Sequence, residues 1–308
     1  GDGQTNLAQL RARLASLFSL PVFASAVNAT VIVCDDPAAR AQAEQILPPG
    51  IIFGSVEAWR QPFSPGMDGM PPDYVATGHT TNVAGGACAP RHEPPLAQAE
   101  RSLQVFSTMQ TSPSDPSYAL RRRLWCDSVL HPQPGLLLTS RQRSCTGAAA
   151  AAEGAVLRPV RACAADSAAA TARFVLSLAG ESPTTQRIAT ALEVGSVPLV
   201  HSDEWPAIRA NLPFRLSIPW ERIVRTVDAD EFDRTPARAV AEAAWAMSNA
   251  SYEAALRLGQ QHRRDVLWHV EASTAHLRFL EDANQLVLAK RRFQEAARGG
   301  RRHEPWDG

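Results

Sequence analysis

Lysine is almost absent from this chain. Lys290 is the only one, and arginine supplies the rest of the 31 basic residues that balance 31 acidic ones. With no net charge, no global field gathers nucleic acid or an anionic membrane surface. The five cysteines (Cys34, Cys88, Cys126, Cys145 and Cys163) contain no CxxC pair and no zinc-finger spacing, which argues against a metal framework. Their odd number leaves at least one thiol outside any internal disulfide. No Walker loop, GxGxxG, HExxH or GxSxG motif occurs. No run reaches about eighteen uninterrupted apolar residues, so no segment reads as a transmembrane helix. What is present, 45% hydrophobic and 20% charged residues over 308 positions, is the make-up of a folded chain with room for two domains.

The run Leu14–Ala26 (LASLFSLPVFASA), behind Arg11 and Arg13, has the form of a signal peptide with a small-residue end. The helical spacing of Leu7, Leu10, Leu14 and Leu17 favours instead a buried helix leading into a strand at Thr30–Cys34. Two N-glycosylation sequons, Asn28-Ala29-Thr30 and Asn249-Ala250-Ser251, permit a secretory address, although chance often supplies as many.

Short strands are expected at Thr30–Cys34, Ile51–Gly54 and Tyr74–Thr77, separated by Pro/Gly-rich connections such as Gln61–Pro72. The breaker-rich stretch Pro90–Pro95 suggests an N-terminal lobe over residues 1–98. A second lobe over 99–290 and a basic polar tail over 291–308 complete the division. In the second lobe, strands at Leu103–Phe106, Leu136–Thr139, Phe174–Leu178, Val197–Val200 and Ile223–Val227 alternate with helices. That alternation predicts an α/β fold with a parallel sheet covered on both faces. Helices are expected at Ser117–Leu130 and Thr184–Val194, and after the N-cap Thr235 with Pro236 at the first helical position. Thr146–Ala152 reads as a helix or a low-complexity insert. A longer helix is expected to carry Val266, Val270, Leu277 and Leu280 on one stripe.

The most informative segment is Phe174–Trp205 (FVLSLAGESPTTQRIATALEVGSVPLVHSDEW). It reads as strand, glycine-containing loop, helix, glycine turn, strand and polar loop. The loop Gly180-Glu181-Ser182-Pro183-Thr184-Thr185 opens a helix, so its hydroxyls and backbone N–H groups face the positive end of a helix dipole. Arg187 projects near the same end and suits a diphosphate fork. Gly195 is the expected C-cap.

This segment resembles the donor-domain signature of exostosin-like glycosyltransferases, inverting enzymes of cell-surface glycans. Gly180, Glu181, Ser182, Pro183, Thr184, Thr185, Arg187, Ala191, Leu192, Gly195, Ser196, Val197, Pro198, Ser202 and Asp203 match it. Leu212-Pro213-Phe214 and Pro219-Trp220 are similar to the family's following stretch, and Arg101–Phe106 to the strand that opens its donor domain. The resemblance runs from Arg101 to Leu280. It implies a GT-B fold of two Rossmann-like lobes, here with the N-terminal one reduced or truncated. It also implies a hexosyl- or pentosyltransferase moving a sugar from a nucleoside diphosphate to a glycan or glycoprotein acceptor in the Golgi lumen. The donor would lie on Gly180, Glu181, Ser182, Thr184, Thr185, Arg187, Thr190, Ser202 and Asp203. No metal or further cofactor is implied, because positive side chains and helix dipoles hold the leaving diphosphate. A partner glycosyltransferase subunit fits the resemblance; nucleic acid does not, and membrane contact would need an anchor outside this sequence.

Thr190 stands where the family has an acidic residue for the ribose hydroxyls. With the short N-terminal half, it favours a second reading, a non-catalytic scaffold that binds glycan or stabilises a partner. A third reading is another inverting GT-B family, since Ala191–Val200 is also similar to the fucosyltransferases. Asp228-Ala229-Asp230 resembles a metal-binding DxD but sits where Asp is an ordinary helix cap. Asp35, Asp36 and Asp68 are candidate general bases, none of them assigned. His201 reaches either the cleft or only a loop. His262, His269 and His276 recur as a polar stripe, and Arg121-Arg122-Arg123 reads as a solvated helix face.

Overall fold

A computed structural model describes residues 31–33, 52–55, 74–76, 100–140, 142–156, 167–180, 186–267 and 273–298. The chain has the expected α/β class and divides into two compact units, each with a parallel sheet. One unit comprises Gly1–Thr77, Pro213–Ile218 and His276–Gly308. Its strands β1 (Val31–Val33), β2 (Ile52–Ser55) and β3 (Tyr74–Ala76) lie side by side in that order. Each falls within a residue of its sequence expectation. Asp35, Asp36, Asp68 and the run Leu14–Ala26 lie outside the described residues.

The other unit, Gly78–Leu212 and Pro219–Ala275, is Rossmann-like. Strands β4 (Leu103–Met109), β5 (Leu136–Ser140), β6 (Ala172–Ser177), β7 (Val197–His201) and β8 (Arg225–Val227) are all parallel, in the order β5-β4-β6-β7-β8. Alternate side chains along the strands enter two separate cores. Val105, Met109, Phe174, Leu176 and Leu199 belong to one, Phe106 and Val175 to the other. Burial on both faces explains why these strands read as continuous apolar runs. The helices are α1 (Ala119–Leu130), α2 (Gly147–Val156), α3 (Gln186–Val194), α4 (Trp205–Ala210), α5 (Trp220–Ile223), α6 (Ala229–Arg234), α7 (Pro236–Ala246) and α8 (Asn249–Val266), with α9 (Ala275–Arg298) following.

Local chemistry sets several ends. Gly195 takes φ +70°, and the N–H groups of Ser196 and Gly195 reach the carbonyls of Ala191 at 2.7 Å and Leu192 at 3.3 Å, a Schellman closure of α3. Thr235 occupies the N-cap position of α7 but makes no capping bond with its side chain. A distant residue replaces it: Asp127 Oδ2 accepts from the Ala237 N–H at 2.8 Å. The alanine tract is helical, as α2, and carries the buried Glu153, which accepts from Trp125 Nε1 at 2.6 Å and Ser144 N at 3.0 Å.

The single stripe expected from Val266 to Leu280 does not form. Helix α8 stops at Val266, Val270 lies outside the described residues, and Leu277 and Leu280 are exposed on α9. Asp265 sits one residue before that end. It accepts from Thr274 Oγ1 at 2.7 Å and meets His262 Nδ1 at 2.8 Å, while the Arg264 carbonyl takes the Thr274 N–H at 2.9 Å. His262 is therefore buried rather than part of a polar stripe.

Cys126 on α1 and Cys145 form a disulfide across a sequence separation of 19. Closing a loop of that length restricts the unfolded chain by about 3 kcal/mol. Urea unfolding with reductant, or of Cys126→Ser, should show a loss of that order. An unchanged transition would mean that the bond does not form.

Candidate functional site

Numbered from β4, the five strands run 2-1-3-4-5, so the connections leaving β4 and β6 diverge. In such sheets the carboxyl ends of those two strands open a crevice where ligands bind. Two arginines meet there. Arg187, the second residue of α3, donates through Nε to the Thr108 carbonyl near the end of β4. Arg121 on α1 is 6% exposed and donates from Nε at 3.1 Å and Nη2 at 2.7 Å to the Leu178 carbonyl, just past β6. Its guanidinium also lies 5.1 Å from the centre of the Tyr118 ring.

The expectation that Arg121-Arg122-Arg123 forms a solvated face is wrong for two of the three. Arg122 Nη1 reaches the carbonyls of Ser112 and Asp115, each at 2.5 Å. Only Arg123 is exposed, paired with Asp233. The missed signal was helical phase: Tyr118, Leu124 and Trp125, three or four residues from Arg121, are all buried.

Gly180 permits this approach. A Cβ there would stand 2.7 Å from Arg121 Nη2 and 2.8 Å from Cζ, so any larger residue displaces the guanidinium. Burial, helped by the neighbouring Arg121, pushes the Arg187 pKa down to about 9, with Tyr118 acting against the shift. Arg187 still carries its charge at neutral pH. Glu204, absent from the sequence-derived site, joins the group by accepting from the Ala179 N–H at 2.9 Å. Burial raises its pKa, offset by that hydrogen bond and by Arg121.

The other expected residues divide. Glu181, Ser182, Thr184 and Thr185 lie outside the described residues. Thr190 is half-buried on α3, one turn beyond Arg187. Ser202 ties two loops together: its N–H donates to Val227 O at 2.9 Å and its hydroxyl oxygen accepts from Ala229 N at 3.0 Å. Asp203 is exposed. Asp228 caps α6, accepting from Glu231 N at 3.0 Å, as its place in the sequence indicates. Among the described residues, no group of three His, Cys, Asp or Glu side chains is arranged to hold a metal ion.

His201 ends β7 and is 4% exposed, with both ring nitrogens buried and making no hydrogen bond. Its ring meets Phe232 edge-on, with centroids 4.9 Å apart. Burial lowers its pKa, opposed by Asp203, Asp233 and Asp228. With the folded value below the unfolded one, the unfolded chain binds the proton first, so stability falls as pH drops below about 6.5. His201→Leu should add about 1 kcal/mol at pH 7 by removing unsatisfied buried atoms. It should also flatten the acid dependence; urea melts at pH 7 and 5.5 that leave the variant as acid-sensitive as the parent would contradict this.

No protein family matches this chain, and no curated protein does. Among solved structures it is similar to a UDP-N-acetylglucosamine 2-epimerase from Listeria monocytogenes, at 12% identity and a TM-score of 0.38, over 83% of this chain and 77% of that one. It is similar to a sucrose-phosphate synthase from Thermosynechococcus elongatus, at 13% identity and a TM-score of 0.38, over 86% and 59%. It is also similar to WaaG, a glycosyltransferase involved in lipopolysaccharide biosynthesis, at 8% identity and a TM-score of 0.39, over 83% and 74%. Similarity this distant assigns neither family nor activity.

Proposed function

We propose that this chain is an inverting glycosyltransferase of exostosin type, with a GT-B-like donor lobe that holds a nucleoside-diphosphate sugar between β4 and β6. The observation that carries this reading is the pair of guanidiniums, Arg121 buried and Arg187 half-buried, at the switch point of the sheet beside the start of α3. Two positive charges side by side suit a diphosphate. In the proposed step the acceptor oxygen bonds to the anomeric carbon, the bond to phosphate breaks, and a base takes the acceptor proton. Negative charge then grows on the departing diphosphate, where fixed guanidiniums stabilise it most. Under this reading the loop Glu181–Thr185 adds N–H groups and hydroxyls to the diphosphate, and Thr190 faces the ribose. The Cys126–Cys145 disulfide supports a luminal address, because such bonds persist in oxidising compartments. A glycan or glycoprotein is the proposed acceptor.

Thr190 favours the second reading, a non-catalytic relative, since one hydroxyl replaces a bidentate carboxylate. Calorimetry against UDP, GDP and ADP separates the two. Losing one charged fork costs about 1.5–3 kcal/mol, so Arg187→Ala should weaken diphosphate binding roughly tenfold to a hundredfold, and Arg187→Lys less. Gly180→Ala should weaken it too, by displacing Arg121. Equal affinity in Arg187→Ala would place the donor elsewhere. No binding by the parent protein at millimolar nucleotide would leave only the scaffold.

A further inference from the structure

Two side chains of opposite charge hold one peptide unit where the chain leaves β6 for the crevice. The Leu178 carbonyl and the Ala179 N–H belong to the same planar group, just past the strand. Arg121 donates to its oxygen from Nε at 3.1 Å and Nη2 at 2.7 Å, and Glu204 Oε2 accepts from its N–H at 2.9 Å. In a trans peptide these groups point to opposite sides of the chain, so the cation holds one edge and the anion the other. Both bonds are charge-assisted, and bonds joined through one peptide polarise each other. Together they set the orientation of that plane and the direction in which the chain continues. Gly180 comes next, and a Cβ there would stand 2.7 Å from Arg121 Nη2, so the backbone runs closely past the guanidinium.

Glu204 does not serve its own helix. It stands at the N-cap of α4 but makes no capping bond there, and its half-buried side chain reaches a residue 25 positions earlier in the sequence. A carboxylate is costly to take out of water, and beside a site for anions it also repels the ligand. Its charge therefore opposes anion binding while its hydrogen bond shapes the place where the anion would lie. These two effects have opposite signs, so substitution can separate them.

We propose that Glu204 is a positioning residue of the crevice, which acts through the Leu178–Ala179 peptide to hold Gly180 against Arg121 and aim the following loop at a diphosphate. The role rests on the reading of the crevice as a diphosphate site. Fixing the start of the loop before the ligand arrives reduces the ordering that binding must impose, which is where the gain in affinity comes from. Arg121 and Glu204 come from α1 and from the turn after β7, so the loop takes its direction from two neighbouring elements rather than from its own sequence.

Variants that separate reach from charge test it on the full chain. Glu204→Gln loses the charge but keeps an oxygen at the same reach, whereas Glu204→Asp keeps the charge on a shorter stem. In calorimetry with UDP, Glu204→Asp and Glu204→Ala should bind about tenfold more weakly than the parent, and Glu204→Gln should recover most of that loss. A side chain acting by charge alone would give the reverse order, with Glu204→Gln and Glu204→Ala tighter and Glu204→Asp unchanged. Amide hydrogen exchange by NMR, without nucleotide, reads the clamp itself. The Ala179 N–H should exchange about tenfold faster in Glu204→Asp and near the parental rate in Glu204→Gln, while the β7 amides stay protected in both. The reverse order of affinities, equal affinities in Glu204→Asp and Glu204→Gln, or an unchanged Ala179 rate in Glu204→Asp overturns this role alone. Absence of UDP binding by the parent overturns the diphosphate reading and this role with it.

Discussion

The divergence of the connections leaving β4 and β6 is the constraint on which the larger unit depends. Each strand end presents carbonyl groups that cannot stay unpaired in a buried crevice. Arg121 and Arg187 answer this from α1 and α3, each donating to the end of one strand. The arrangement supports the sheet and concentrates positive charge in one step. It also fixes Gly180, because the guanidinium of Arg121 occupies the space that a side chain there would need.

The amino-terminal edge solves the same problem differently. Arg101 joins the start of β6 to the end of α3 through carbonyls and Ser196, and Arg173 is braced between the Tyr252 ring and two amides. Guanidinium groups therefore lie at both ends of one sheet, in a chain with a single lysine. The planar fork suits both places, since it bridges several carbonyls and stays charged when buried. Glu153 on α2 plays the complementary part as an anion, collecting the Trp125 indole and the Ser144 N–H beside the disulfide.

Local sequence was enough wherever one short-range rule applied. The strands from β4 to β7 follow from apolar runs bounded by breakers, the closure of α3 from Gly195, and the capping of α6 from Asp228, whereas the run expected as a strand from Ile223 splits into the end of α5 and the short β8. The parallel α/β class followed from alternation alone. Where a distant residue took over, local signs misled. Thr235 holds a cap position but Asp127 supplies the bond, and α8 stops at Val266 inside a stripe that looked continuous.

The candidate site shows the same division. The place of Arg187 at the start of α3 was legible because a glycine, a proline and hydroxyls ahead of an apolar-periodic stretch form a local helix-opening signal. Arg121 and Glu204 were not, since a run of three arginines and a loop glutamate look solvated until the strand order is known. Sequence by itself determined the elements and the charge at the start of α3, because capping and periodicity act over a few residues. Tertiary structure alone decided that β6 lies beside β4, which brings side chains from α1 and α3 into one crevice. That pairing depends on burial of both sheet faces, a property of the assembled strands rather than of any one segment.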